Sequence, residues 1–168
     1  MGNPPSKFAR FFVICKERGF RITVHAGEEG PAAYVREAFD LGVDRIDHGN
    51  ACLDDAALVS DLIAAKMPLT VCPVSNLKLK VVKDLKTHPL KRLIDAGLVV
   101  TINSDDPSYF GAYVNENMVQ CHKALGLSEA DIVAMARNSF LGAFLPEEQR
   151  QQGLLRIDQY LALRHPGV

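Results

Sequence analysis

Four short runs of β-branched and apolar residues recur along the chain, with room for one helix between each pair. The runs begin near positions 21, 45, 69 and 99, and each is bounded by Gly, Pro or Asp. Parallel strands need a crossover of about a dozen residues or more, usually a helix. The spacing therefore predicts an α/β fold with four parallel strands and flanking helices. The predicted strands are 21–25, 45–48, 69–72 and 99–103.

Helical patterns fill the intervals between these runs. Gly19 and Gly42 follow two of the patterns as stop signals, and Ser128 with Asp131 indicates a capped helix start later in the chain. Pro146 marks one more start. The helices predicted before and between the strands are 5–18, 32–41, 54–66 and 88–97.

Length and charge exclude several classes of protein. A chain of 168 residues fits one domain. Its 19 basic and 20 acidic side chains leave a net charge of -1. The chain therefore lacks the excess of basic residues that is typical of proteins that bind nucleic acid or an anionic membrane. No run approaches the ~20 apolar residues of a transmembrane helix, and no signal-peptide core is seen. Four widely spaced cysteines predict free thiols in a cytoplasmic protein.

Each predicted strand ends in polar residues that can carry chemistry. The endings are the segments His25-Ala-Gly-Glu28, Asp47-His48-Gly49, Cys72-Pro-Val-Ser-Asn76 and Asn103-Ser-Asp-Asp-Pro107. In parallel α/β folds, ligands bind beyond the carboxyl ends of the strands. We therefore expect these segments to form one site.

Each of these residues also has a structural explanation. A histidine at a strand end is more often hydrogen-bonded than a ligand, Glu28 has Glu29 beside it as in an exposed loop, and Asp105 and Asp106 precede Pro107 as in a turn. Four consecutive polar strand ends are harder to explain in this way, because burying polar groups costs stability. Imidazole and carboxylate groups together suit metal-assisted hydrolysis, in which zinc activates a water molecule.

The same four segments resemble the adenosine/adenine deaminase family. They occur in the family's order and at compatible spacing, and the similarity runs from about residue 3 to about residue 145. Asp47 before His48, together with the segment 107–111, resembles the adenine deaminase branch more than the nucleoside-specific branch. The zinc deaminases that carry a His-x-Glu and Pro-Cys-x-x-Cys signature are a different design.

The resemblance implies zinc-dependent hydrolysis of adenine to hypoxanthine and ammonia, a step of purine salvage. It assigns zinc binding to His25 and Asp105. It makes Glu28 the proton donor to the purine ring, and His48 the residue that orients the attacking water or takes its proton.

Two further residues are implied to contact the small-molecule purine. Asp106 would hydrogen-bond the imidazole side of the base, and Gly27 would let the backbone approach it closely. Ser75 and Asn76 are expected to support loop geometry rather than chemistry.

The family's fold is a (β/α)8 barrel. Residues 1–168 would form its C-terminal half, which consists of barrel strands 5–8 and the C-terminal helices. The family's first strand carries a His-x-His pair, which this sequence lacks, and His88, His122 and His165 do not replace it. We therefore expect weak zinc binding and little activity from the isolated chain. Open sheet edges and an exposed apolar inner face predict self-association or pairing with a missing N-terminal half.

Three alternatives stay open on sequence grounds. The chain could prefer adenosine to adenine, act as a non-catalytic remnant that serves as a binding or assembly module, or belong to another barrel hydrolase. The packing of residues 146–168 is also open.

Overall fold

The sheet consists of four parallel strands. The computed structural model describes residues 2–164, and within this range the strand order is β1-β2-β3-β4, so each strand pairs with its neighbours in sequence. Every crossover contains helical structure, as parallel pairing requires. The strands are β1 (Thr23–Ala26), β2 (Arg45–His48), β3 (Pro68–Val71) and β4 (Val99–Ile102).

Helices flank the sheet and follow it in the chain. Short 3-10 helices precede or link several of them, at Pro5–Phe8, Asn50–Asp54 and Leu85–Thr87. The α-helices of the described residues are α1 (Ala9–Glu17), α2 (Ala32–Asp40), α3 (Ala56–Ala64), α4 (Pro73–Lys78), α5 (Leu90–Asp95), α6 (Pro107–Phe110), α7 (Val114–Leu125), α8 (Glu129–Leu141) and α9 (Glu147–Arg164).

The predicted elements agree with the structure except at two short helices. All four strands lie within two residues of their predicted bounds, and the Ser128–Asp131 capping box begins α8 as predicted. Helices α4 and α6 were not predicted. Each has Pro at its start and spans no more than six residues, which is too short for a helical period to show in the sequence.

Apolar strand residues build the core on one side of the sheet. Ile46, Leu69, Val71 and Val100 are fully buried and belong to one apolar cluster with the surrounding helices. Burying a side chain of this size contributes about 1.5–3 kcal/mol. The alternating burial along β2 and β3 shows that one residue in two points into this core.

The opposite side of the sheet is polar, which corrects a prediction. Thr23, His25, Arg45, Asp47 and Thr70 occupy the alternate positions of the first three strands and are not buried. The expected exposed apolar inner face is therefore wrong. Apolar residues at alternate positions of these strands face the core, and the intervening polar residues face the opposite side of the sheet.

The C-terminal part of the described chain packs on the rest. Arg45 on β2 lies over the Phe144 ring at 4.4 Å and donates to the Gly142 carbonyl at 3.2 Å, so the segment after α8 covers one end of the polar face. Helix α9 lies against α8, where Arg137 pairs with Asp158. His165 lies outside the described residues. None of the described helices combines the length and the apolar character needed to span a bilayer.

Candidate active site

The carboxyl ends of the strands bring the predicted site residues to one rim. His25 lies near the end of β1, His48 ends β2, and Asp105 follows β4. All three line one cavity of about 360 Å³. His25 and Asp105 therefore lie at one rim of the sheet, as predicted.

Two of these residues have a left-handed backbone. His48 has φ 68° and Asp105 has φ 59°, a conformation that costs a non-glycine residue about 1 kcal/mol or more. Aspartate and histidine tolerate it better than most residues. Strain of this kind gathers at functional sites, where surrounding contacts enforce it.

Glu28 and His48 form the central pair of the site. Glu28 Oε1 lies 3.4 Å from His48 Nδ1, and the His48 side chain is only 1% exposed. Burial and the nearby Asp105 carboxylate raise the pKa of Glu28, whereas burial and His25 lower the pKa of His48 to about 4. The pair therefore combines a carboxyl whose pKa is raised with an imidazole whose pKa is lowered, the direction of shift that suits acid and base catalysis.

His25 is oriented by a carboxylate that the sequence interpretation did not use for the site. Asp47 Oδ2 lies 3.4 Å from His25 Nδ1, and the Thr70 hydroxyl donates to Asp47 Oδ1 at 2.5 Å. This pairing raises the pKa of His25. Burial alone would raise the pKa of Asp47, but hydrogen bonds from His25 and Thr70 hold it at about 2. A carboxylate behind one ring nitrogen leaves the other nitrogen of His25 for a ligand.

Asp105 meets two further side chains. Ser75 Oγ donates to Asp105 Oδ2 at 2.6 Å. Atoms of Asp105, His48 and Cys72 that could bind a metal lie within 4.8 Å of one another. Cys72 therefore borders the site, although it is not part of a Cys-x-x-Cys motif. Burial and the adjacent carboxylates raise the pKa of the Cys72 thiol to about 12, which keeps it neutral near pH 7 in the absence of a cation.

Gly27 and Asp106 flank this group. Gly27 has φ 73°, and a Cβ there would lie 2.4 Å from Val35 Cγ2, so packing against α2 alone requires glycine at this position. Asp106 is exposed at the start of α6 without capping it, and it does not line the cavity that Asp105 lines. Gly27 lines a neighbouring cavity together with His25 and Glu28, so two adjoining cavities take in five of the six predicted residues, and Asp106 lines neither of them.

Three buried polar residues behind the site were not predicted to take part in chemistry. Asn50, Asn76 and His88 are 8%, 0% and 3% exposed. Asn50 and His88 both hydrogen-bond to Asn76, which in turn donates to Glu28. Asn50 lies between β2 and β3, whereas Asn76 and His88 lie between β3 and β4, so no regular spacing along the sequence connects the three.

The burial of His88 predicts that the free energy of unfolding falls as the pH is lowered. Burial lowers the pKa of His88 to about 4 from 6.5. Between these values the unfolded chain binds a proton at this residue and the folded chain does not, so stability is complete above pH 6.5 and is lost as the pH falls. From about pH 7.5 to about pH 5, the wild type should lose roughly 2 kcal/mol more unfolding free energy than His88→Gln.

Urea unfolding followed by circular dichroism at the two pH values measures this difference. His48 contributes in the same direction in both proteins, and therefore cancels. Equal pH dependence in His88→Gln and the wild type would contradict the buried neutral state of His88.

The parallel sheet, its covering helices and the polar rim at the carboxyl ends of its strands define four consecutive units of a β/α barrel. The adenosine deaminase family profile matches residues 1–160. The chain belongs to the adenosine deaminase family.

Relatives within the family share sequence over nearly the whole chain. An adenine deaminase of Rhodopseudomonas palustris is 58% identical over 98% of this chain and 48% of its own length. One of Ralstonia pickettii is 56% identical over the same shares. The chain therefore spans about half the length of the curated relatives it matches, and the match lies in their C-terminal half.

Two solved structures share the fold of this chain. The crystal structure of an adenine deaminase from Arthrobacter aurescens superposes with a TM-score of 0.92 and 45% identity, covering 95% of this chain and 49% of that one. An amidohydrolase from Burkholderia ambifaria with bound Zn superposes with a TM-score of 0.86 and 28% identity, covering 94% and 46%. The predicted half-barrel fold is thereby confirmed.

Proposed function

We propose that this chain forms one side of the active site of a zinc-dependent adenine deaminase. The observation that carries the proposal is the Glu28–His48 pair, 3.4 Å apart beside Asp105 at the carboxyl ends of the strands. The adenine deaminases that match most of this chain support adenine as the substrate. The reaction adds water to adenine and yields hypoxanthine and ammonia.

The two central residues divide the proton transfers between them. The oxygen of water bonds to the ring carbon that carries the amino group, and the neutral His48 orients this water or accepts its proton. Glu28 gives a proton to the adjacent ring nitrogen, which makes the carbon electrophilic. The carbon becomes tetrahedral and carries the hydroxyl of the former water. Its bond to the amino group then breaks as that group takes the proton held by His48, the hydroxyl returns a proton to Glu28, and ammonia and hypoxanthine are released. The raised pKa of Glu28 and the lowered pKa of His48 suit these roles.

Zinc fits the donors and the charge of this site. The imidazole of His25 and the carboxylate of Asp105 are ordinary zinc ligands, and His25 already has Asp47 behind its Nδ1 atom. Asp47, Glu28 and Asp105 all act to raise the pKa of His25, so the potential at its ring is negative and favours a cation. When bound, zinc lowers the pKa of a coordinated water toward about 7.

Asp106 and Gly27 are proposed to contact the base. Replacing Asp106 with asparagine should raise KM for adenine by about tenfold and lower kcat, because a charged hydrogen-bond acceptor becomes a neutral one. Zinc content should stay at the wild-type value, since Asp106 is not a proposed ligand. Steady-state kinetics and metal analysis measure both quantities, and an unchanged KM would contradict the contact.

We also propose that the chain completes its barrel by pairing with a segment equivalent to the N-terminal half of its relatives. Within the described residues, β1 and β4 each have a single strand neighbour, so each presents unpaired backbone groups to a further strand. The polar inner face, with Arg45, Asp47 and Thr70, would then be enclosed. Self-association of the chain is the competing outcome.

The cytoplasm is the proposed location. All four cysteines are free, and Cys52, Cys72 and Cys121 are buried. Free thiols persist in a reducing compartment.

Co-expression with the N-terminal half of the R. palustris relative tests these proposals. The expected result is a stable complex that holds one zinc ion and releases ammonia from adenine faster than from adenosine or AMP, while the chain alone does neither efficiently. Preference for adenosine would overturn the substrate and retain the family. A complex that binds zinc but deaminates no purine would overturn the proposed reaction, and an inert metal-free complex would favour a binding or assembly module.

A further inference from the structure

A buried chain of hydrogen bonds runs from the backbone of α5 to Glu28. Its members are His88, just before α5, and Asn76 on α4, with Asn50 on one side. His88 and Asn76 are 3% and 0% exposed. Buried polar side chains of this kind cost stability unless they are fully paired, so the direction of each hydrogen bond can be worked out.

The donors and acceptors in this series of hydrogen bonds allow only one assignment of the hydrogen-bond directions. The Leu90 N–H donates to His88 Nδ1 at 3.1 Å, so Nδ1 carries a lone pair and the neutral ring has its hydrogen on Nε2. His88 Nε2 then donates to Asn76 Oδ1 at 3.0 Å. Asn50 Nδ2 donates to the same oxygen at 2.8 Å. The Asn76 amide cannot turn over, because that would place its NH2 group against the N–H donor of His88 Nε2.

The fixed amide determines how Glu28 is hydrogen-bonded. Asn76 Nδ2 donates to Glu28 Oε1 at 2.8 Å and lies 3.4 Å from His48 Nδ1. In a protonated carboxyl group, the oxygen without the hydrogen is the stronger hydrogen-bond acceptor. Since Oε1 accepts from Asn76, this hydrogen bond favours the hydrogen of protonated Glu28 on Oε2.

We propose that Asn76 is a positioning residue for Glu28, locked in one amide orientation by His88 and Asn50, so that Glu28 carries its transferable proton on Oε2. The inference deepens the proposed deaminase function and rests on it. It revises the expectation that Asn76 merely supports a loop, and it gives a role to His88, which is remote from the reacting atoms.

The tautomer of His88 can be measured on this chain alone. In two-bond 1H–15N spectra of the histidine-labelled chain near neutral pH, His88 should show the neutral ring with hydrogen on Nε2, and its signals are identified by their loss in His88→Gln. A hydrogen on Nδ1, or on both nitrogens, would reverse the hydrogen-bond direction and overturn the inference. This measurement requires neither zinc nor adenine.

Activity of the complex with the N-terminal half of the R. palustris relative tests the consequence for Glu28. Asn76→Asp places an oxygen against Oε1, and should lower kcat by about 100-fold with KM within about threefold and zinc retained. His88→Leu removes the donor to Asn76 and should lower kcat by about tenfold. His88→Gln keeps an NH2 group close to the position of Nε2, and should recover most of that loss.

These variants separate positioning from a structural role. Both His88 variants should lower the thermal midpoint, whereas only His88→Leu should lose kcat. His122→Leu, which loses the hydrogen bond from His122 to the Leu127 carbonyl, should leave kcat unchanged. Equal loss of kcat in the two His88 variants, or a kcat within threefold of the wild type in Asn76→Asp, would overturn the inference. If the wild-type complex is inactive, the proposed function fails, and the His88 tautomer still decides the hydrogen-bond direction.

Discussion

Replacing Glu28 with glutamine is expected to lower adenine turnover by the complete barrel by about 10³-fold and to leave zinc bound. General acid catalysis contributes about 10²–10⁴ in rate, and glutamine has no acidic proton to give to the ring nitrogen. Its side chain has nearly the same shape, so the hydrogen bond from Asn76 to Oε1 can persist. The change therefore removes the proton donor without removing a proposed metal ligand.

Ammonia release and zinc content measured on the same preparation test this prediction. Glu29→Gln is the matched control, because Glu29 is adjacent in the chain and exposed, and it should turn over adenine at the wild-type rate. A Glu28→Gln complex that keeps more than about a tenth of wild-type turnover would show that the proton comes from elsewhere. Loss of zinc in this variant would instead indicate that Glu28 contributes to the metal site.

Replacing Asp105 with asparagine should weaken zinc binding by about 100-fold or more, with a matching loss of activity. The substitution exchanges a charged ligand oxygen for a neutral amide. The fold should tolerate it, because asparagine accepts the left-handed backbone that Asp105 adopts at φ 59°. Ser75 can still donate to the remaining oxygen.

Metal analysis after dialysis against a weak chelator measures this effect. Asp106→Asn is the matched control, since it makes the same chemical change one residue further along, and it should retain zinc. Stoichiometric zinc in Asp105→Asn would show that Asp105 is not a ligand. The neighbouring His48 and Cys72, whose ligand atoms lie within 4.8 Å of those of Asp105, would then be the next residues to replace.

Much of the fold follows from local sequence features, because these act within a few residues. β-branched runs such as the one ending at His48, and stop signals such as Gly19, located the strands and most helices. The exceptions have physical reasons. Helix α4 spans six residues, less than two turns, and so shows no period. The polar inner face was missed because strands of four residues offer too few positions for an alternating pattern to stand out.

The sequence by itself determined which residues stand at the strand ends, because parallel strands carry their carboxyl ends to one edge whatever the details of packing. His25, Glu28, His48 and Asp105 were found in this way. Only the tertiary structure decided what supports them. Asp47 behind His25, and Asn76 and His88 behind Glu28, depend on contacts between segments as far as 48 residues apart, and the direction of a hydrogen bond is set by the geometry of both partners, which no local pattern encodes.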